Sequence, residues 1–178
     1  MKQITLLFLL LIESAIAQNS LFNQIEAKNI GPTIMSGRVV DLAVNPKNPT
    51  EFYVAYATGG LWYTNNNGTS FTPVMDSAET VNCGSVTVDW NSGTIWVGTG
   101  EVNASRSSYA GVGVLKSSDK GKTWENLGLK DSHHISRIWV NPSNLNEIVV
   151  AAVGHLYTTN KERGIYKSTD GGKTWKQT

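Results

Sequence analysis

From residue 36 onward, apolar residues come in short runs with the two-residue alternation of strands, and no stretch sustains a 3.6-residue period. The runs fall into three sets of four. The first set is Val39 to Val44, Glu51 to Ala57, Gly60 to Thr64 and Ser70 to Val74. The second is Cys83 to Val88, Thr94 to Gly98, Gly113 to Ser117 and Thr123 to Leu127. The third is Ile135 to Val140, Glu147 to Val153, Gly164 to Ser168 and Thr174 onward. Turn-rich segments separate the first two runs of each set: NPKNP (Asn45 to Pro49), DWNSG (Asp89 to Gly93) and NPSNLN (Asn141 to Asn146). The pattern predicts three four-stranded antiparallel sheets and leaves no place for a βαβ unit.

An octet fixes the period. SSDKGKTW, Ser117 to Trp124, returns as STDGGKTW, Ser168 to Trp175, and a worn copy, TNNNGTSF, stands at Thr64 to Phe71. Its chemistry is that of a hairpin tip. Asp119 and Asp170 can accept backbone N–H bonds within their own turns, and Gly121 and Gly172 supply the positive φ that closes them. Ser117, Thr123, Ser168 and Thr174 offer hydroxyls to nearby polar groups, and Trp124 and Trp175 can lay a ring on the adjacent sheet. Each sheet carries its copy at the same place on the rim, so the two Asp residues cannot easily meet on one substrate atom, as an acid–base pair must. The octet therefore reads as structural.

Four strands per unit and a period near 50 residues are what radially arranged sheets produce, so the expected fold is an all-β propeller. Its blades would cover about 36–80, 81–130 and 131–178. A ring needs about four blades at least, so the chain reads as the N-terminal part of a larger propeller, truncated at its C-terminus. Within 18–35, AKNIG (Ala27 to Gly31) aligns with WENLG (Trp124 to Gly128) and is expected to be a lone outer strand that closes the ring.

Composition alters this picture little. A net charge of +1 without a basic stripe gives no footing for a nucleic-acid partner. Residues 1–17 hold Lys2, an apolar run from Ile4 to Ile12 and an Ala15/Ala17 cleavage pair, the signature of a secretory signal peptide cut after Ala17. That apolar run is much shorter than the roughly 20 residues that span a bilayer, so no membrane span is expected in the mature chain. Cys83 is the only cysteine and reads as a small core residue.

The octets resemble the Asp-box, or BNR, repeat of sialidases, of sortilin-type receptors and of secreted bacterial glycosyl-hydrolase-like propellers. The frame GRVVDLAVNPKNPTEFYVAYATGGLWYTNNNGTSF, with VGTGE and GLKDSHHISRI, is most similar to secreted bacterial proteins grouped with the sortilin N-terminal domain. That resemblance implies either a module that binds a glycan or peptide, or a glycoside hydrolase. Relatives in glycoside hydrolase family 74 carry an Asp two residues before a Gly-Gly pair in the first blade, where this chain has Ala57. The Arg-Ile-Pro entry motif of sialidases is also absent, GRVV standing in its place.

The face opposite the octets is where the sequence stops repeating. The loop after the second strand is only Thr58 to Gly60 in the first unit, but grows to Thr99 to Val112 and Gly154 to Arg163 in the next two. Long irregular loops on a rigid scaffold commonly carry function. Aligned positions at the entry to the innermost strands are Arg38, Asn82 and His134. With Glu101, Asn103, Arg106, His133, His155, Glu162 and Arg163 they form a polar set suited to carboxylate or sugar hydroxyls. Glu101 is the one strong candidate for a catalytic carboxylate, which glycoside hydrolysis would need in a pair. Adjacent His side chains of an extended segment point apart, so only one of His133 and His134 is expected to face His155, and no metal or cofactor is expected.

Overall fold

A computed structural model describes residues 37–104 and 108–178. The expected leader, the ring-closing strand in 18–35 and Arg106 lie outside the described residues. Among the described residues twelve strands form three separate four-stranded sheets. The first holds β1 (Val39–Val44), β2 (Phe52–Tyr56), β3 (Gly60–Thr64) and β4 (Thr72–Pro73). The second holds β5 (Cys83–Asp89), β6 (Thr94–Thr99), β7 (Val114–Ser117) and β8 (Glu125–Asn126). The third holds β9 (Ile135–Val140), β10 (Ile148–Ala152), β11 (Gly164–Ser168) and β12 (Lys176–Gln177). Each sheet is an antiparallel meander in chain order.

The inner three strands of each sheet match the apolar runs, but the outer strands pair over only two residues, against the four or five that the sequence suggests. The octet explains the loss. Its last residues are spent in the turn, where the N–H groups of Thr123 and Thr174 donate to the octet carboxylates at 2.9 Å. In the first sheet Pro73 also lacks an N–H to give.

β2 and β6 are buried along nearly their whole length, on both faces, while β10 alternates between buried and half-buried positions; these strands join the sheets. Tyr53 and Ala55 of β2 pack with Val86, Ile95, Val97 and Leu115 of the second sheet, together with Cys83 and Met75. Trp96 of β6 points the other way, into a cluster with Ile135, Ile138, Val140, Ile148 and Val150 of the third. Cys83 is fully buried 3.6 Å from the Met75 sulfur, and burial pushes its thiol up to about 12, so it is an inert core residue.

Polar ties run along the same interfaces. The indole N–H of Trp124 donates to the Val74 carbonyl at 3.0 Å, and that of Trp175 to the Leu127 carbonyl at 2.7 Å. Each octet tryptophan is thus fastened to the sheet before its own. Gly121 sits at φ 90°, and a Cβ there would lie 2.5 Å from the Val74 oxygen, so both the turn and the sheet contact require glycine.

Within the octet, the Ser117 hydroxyl donates to Asp119 at 2.8 Å and accepts the Gly121 N–H at 2.8 Å, while the Thr123 hydroxyl donates to Asp119 at 2.7 Å. The third sheet repeats every one of these bonds around Asp170. In the worn copy Asn66 Oδ1 accepts from the Ser70 N–H and the Thr64 hydroxyl, and its amide nitrogen donates to the Ser70 hydroxyl. Bonds from Thr123, backbone first, and from Ser117 hold the Asp119 carboxyl down to about 2, and Asp170 is lowered likewise, its Thr174 hydroxyl first.

Candidate functional site

An antiparallel meander puts the turns after first and third strands on one side and those after second and fourth strands on the other. Arg38, Asn82 and His134 occupy one repeated place on the second side. Their carbonyls accept the N–H groups of Ala57, Gly100 and Val153 at 2.8, 2.9 and 2.8 Å. Just beyond each, the innermost strand carries a bulge, at the steps Val39 to Asp41, Cys83 to Ser85 and opposite Ala152, which turns this end of the strand aside.

The loop after β6 folds back over this side and divides it. Its base is clamped by Thr99, whose hydroxyl donates to the Gly113 carbonyl at 2.6 Å and accepts the Val112 N–H at 2.8 Å. The Gly111 N–H donates to the His133 carbonyl at 2.6 Å, and the Asn82 side chain to the Ala110 carbonyl at 3.1 Å. Gly100 has φ 88°, and a Cβ there would lie 1.9 Å from the His133 oxygen. Only glycine lets the loop start this close to the third sheet.

On one side of the loop lies a cavity of about 330 Å³ lined by Gly37, Arg38, Ala57, Thr58, Glu101 and Tyr109. Glu101 is only 2% exposed, and its carboxylate is ion-paired with the half-exposed Arg38 guanidinium. A carboxylate so deep needs such a partner, because the desolvation of a bare charge is severe. Among the described residues Glu101 is the only Asp or Glu in that lining.

On the other side, a cavity of about 290 Å³ is lined by the three histidines together with Ser108, Ala110, Leu156, Tyr157 and Thr158. His133 and His155 stack, with ring centroids 3.8 Å apart and planes 14° from parallel. The adjacent pair departs from the extended geometry expected of it. A 3-10 turn at Lys130–Ser132 leads into His133 at φ 54°, and that break leaves the His133 and His134 rings 6.2 Å apart, edge to face, rather than on opposite sides. His134 is buried, and among the described residues its Nδ1 has no hydrogen-bond partner. Burial first, and then the neighbouring His133 and His155, depress its pKa, so it stays neutral. Among the described residues no set of three His, Cys, Asp or Glu is arranged to hold a metal ion.

The other sequence candidates separate. Arg163 is occupied in holding the loop after β10, donating to the carbonyls of Val153 at 2.8 Å and His155 at 3.0 Å. Glu162 offers its carbonyl to the Tyr166 hydroxyl at 2.9 Å, and neither residue lines a cavity with Glu101 or the histidines. Asn103 is exposed on the loop after β6, its carbonyl accepting from Ser108. Sequence reasoning missed Tyr109 and Tyr157, which are 55% and 73% exposed at the two cavities. Their only signal was an aromatic residue in an otherwise polar loop.

No protein-family model matches the chain, and no curated protein sequence matches it. Among solved structures it is similar to an ancestral GH74 enzyme, with a TM-score of 0.64 and 22% identity over 85% of this chain. It is also similar to YCF48 solved bound to a D1 peptide, with a TM-score of 0.55 and 16% identity over 86% of this chain. YCF48 from Cyanidioschyzon merolae gives a TM-score of 0.51 and 19% identity over 84% of this chain. The chain spans 19%, 46% and 39% of those three proteins. At these identities the likeness is one of fold: the three sheets are blades of an all-β propeller, and among the described residues they do not close a ring.

Proposed function

We propose that the chain is part of a secreted Asp-box propeller whose non-octet face binds an extended peptide, in the manner of sortilin-type binding domains. Further blades outside this chain complete the ring, and residues 1–17 act as the export signal. The observation that carries this reading is the Arg38–Glu101 pair: the buried carboxylate is matched by a guanidinium, and among the described residues no second carboxylate lines its cavity to share acid–base work. Two shallow cavities separated by one loop, each with an exposed tyrosine at its rim, suit a ligand laid across the face. The YCF48 likeness, with its bound peptide, supports the same class of ligand.

A second reading, glycoside hydrolysis, draws on the buried Glu101 and on the fold shared with a GH74 enzyme. One experiment separates the two. The chain is titrated against an array of unstructured peptides and, in parallel, incubated with xyloglucan while reducing ends are assayed. Saturable peptide binding that Tyr109→Ala weakens, with no release of reducing ends, is the expected result. Product release that disappears in Glu101→Gln would establish the second reading instead.

A further inference from the structure

The octet face holds a cavity of its own. Between the first two blades, at the tips of the β1–β2 and β5–β6 turns, about 290 Å³ is open, walled by Asn45, Glu51 and Tyr53 of one blade and Trp90, Asn91 and Lys120 of the next. The matching groove between the second and third blades measures only about 60 Å³, with Pro142 and Leu145 of the third blade's turn against it. The repeat therefore closes this groove at one junction and leaves it open at the other.

What lines the open groove is aromatic and polar at once. Tyr53 is buried, with its ring centroid 4.9 Å from that of Tyr63 and 5.6 Å from that of the half-buried Trp90, the planes tilted 42° and 41°, so the three rings form a packed cluster whose accessible member in the groove is Trp90. Glu51 stands beside it, its two oxygens each accepting one bond, from the Tyr63 hydroxyl at 2.5 Å and the Asn45 amide at 2.7 Å. Those bonds, and more weakly the Lys120 charge, hold its carboxyl below the ordinary range, so it is ionised and keeps lone pairs to offer. Lys120 is exposed at the rim, and the Oδ1 of Asn91 accepts a bond from the Lys47 ammonium at 2.9 Å.

Glu51 and Lys120 in the lining, with Lys47 bonded to Asn91 and Asp89 bonded to Ser92 behind it, leave the groove electrically balanced. An anion would meet Glu51, and a cation would meet Lys120. A molecule that both donates and accepts through neutral hydroxyls, and has an apolar C–H face to lay on a ring, satisfies every wall. We propose that this groove is a binding site for a single uncharged pyranose of a glycan, separate from the Arg38–Glu101 face. It is independent of the peptide-binding reading.

The test is two-dimensional NMR of the full chain titrated with methyl β-glucopyranoside, methyl α-mannopyranoside and methyl β-galactopyranoside. At least one sugar is expected to give saturable shifts at the Trp90 indole and at the Gly93 and Lys120 amides, with none at Gly100 or Glu101. Trp90→Ala and Lys120→Ala should each weaken that binding about tenfold. Lys120 is exposed, so its variant keeps the fold and decides the matter if Trp90→Ala does not. No saturable shift with any of the three sugars, shifts on the Glu101 side only, or unchanged affinity in Lys120→Ala would overturn the proposal.

Discussion

Asp119 and Asp170 are the clearest case in which a residue's chemistry is spent on the fold. Each carboxylate collects a backbone N–H and two hydroxyls, and each sits well below the ordinary aspartate range as a result. An acid with a depressed folded-state pKa stabilises above its unfolded value near 3.8, and that contribution disappears as pH falls towards about 2 for Asp119. Asp119→Asn is thus expected to lower the melting midpoint at neutral pH more than Ser118→Ala, with the gap shrinking in acid; a gap unchanged with pH would contradict it. His134 moves stability in the same direction for a different reason, burial of a neutral ring. The folded state resists protonating it, whereas the unfolded chain takes up that proton below about 6.5, so stability rises as pH climbs through the acid side of that value. Thermal melts across that window should show the rise, and His134→Gln should flatten it. Among single residues the sequence exposed the octet positions well, because their spacing repeats. The bonds of Arg163 were not legible, since nothing in a sequence tells whether a guanidinium will turn back onto its own loop's carbonyls.

At the scale of elements, strands and turns were legible because alternation and turn residues are local signals. The shortness of β4, β8 and β12 was not, because it depends on how many N–H groups the octet consumes. Nor were the repeated bulges, which adjust each innermost strand to a neighbouring sheet. The octet tryptophans make the link between elements. Trp124→Phe removes the bond to Val74 and is expected to cost about 1 kcal/mol in denaturant unfolding for that bond alone. The loop after β6 depends on one glycine. Gly100→Ala places a methyl against the His133 carbonyl at a positive φ and should cost about 3 kcal/mol, read by the same measurement. A fully stable Gly100→Ala would mean that the loop does not seat where it is described.

For the whole molecule, the three-sheet plan followed from the period, and the face that differs between blades followed from the loss of repetition there. The pairing of Arg38 with Glu101 did not. Register places both on one side, but their meeting requires the β6 loop to fold back across the first blade, a tertiary event that no local pattern encodes. The same event divides the face into two cavities and brings Tyr109 and Tyr157 to their rims. On the proposed function this face, not the octet face, takes the peptide. Hydrogen exchange of the chain with and without a saturating array-selected peptide tests that most directly. Slowed exchange is predicted at 99–104, 108–113 and 154–158, with 117–124 and 168–175 unchanged. Slowing confined to the octet segments, or none at the loops, would contradict it.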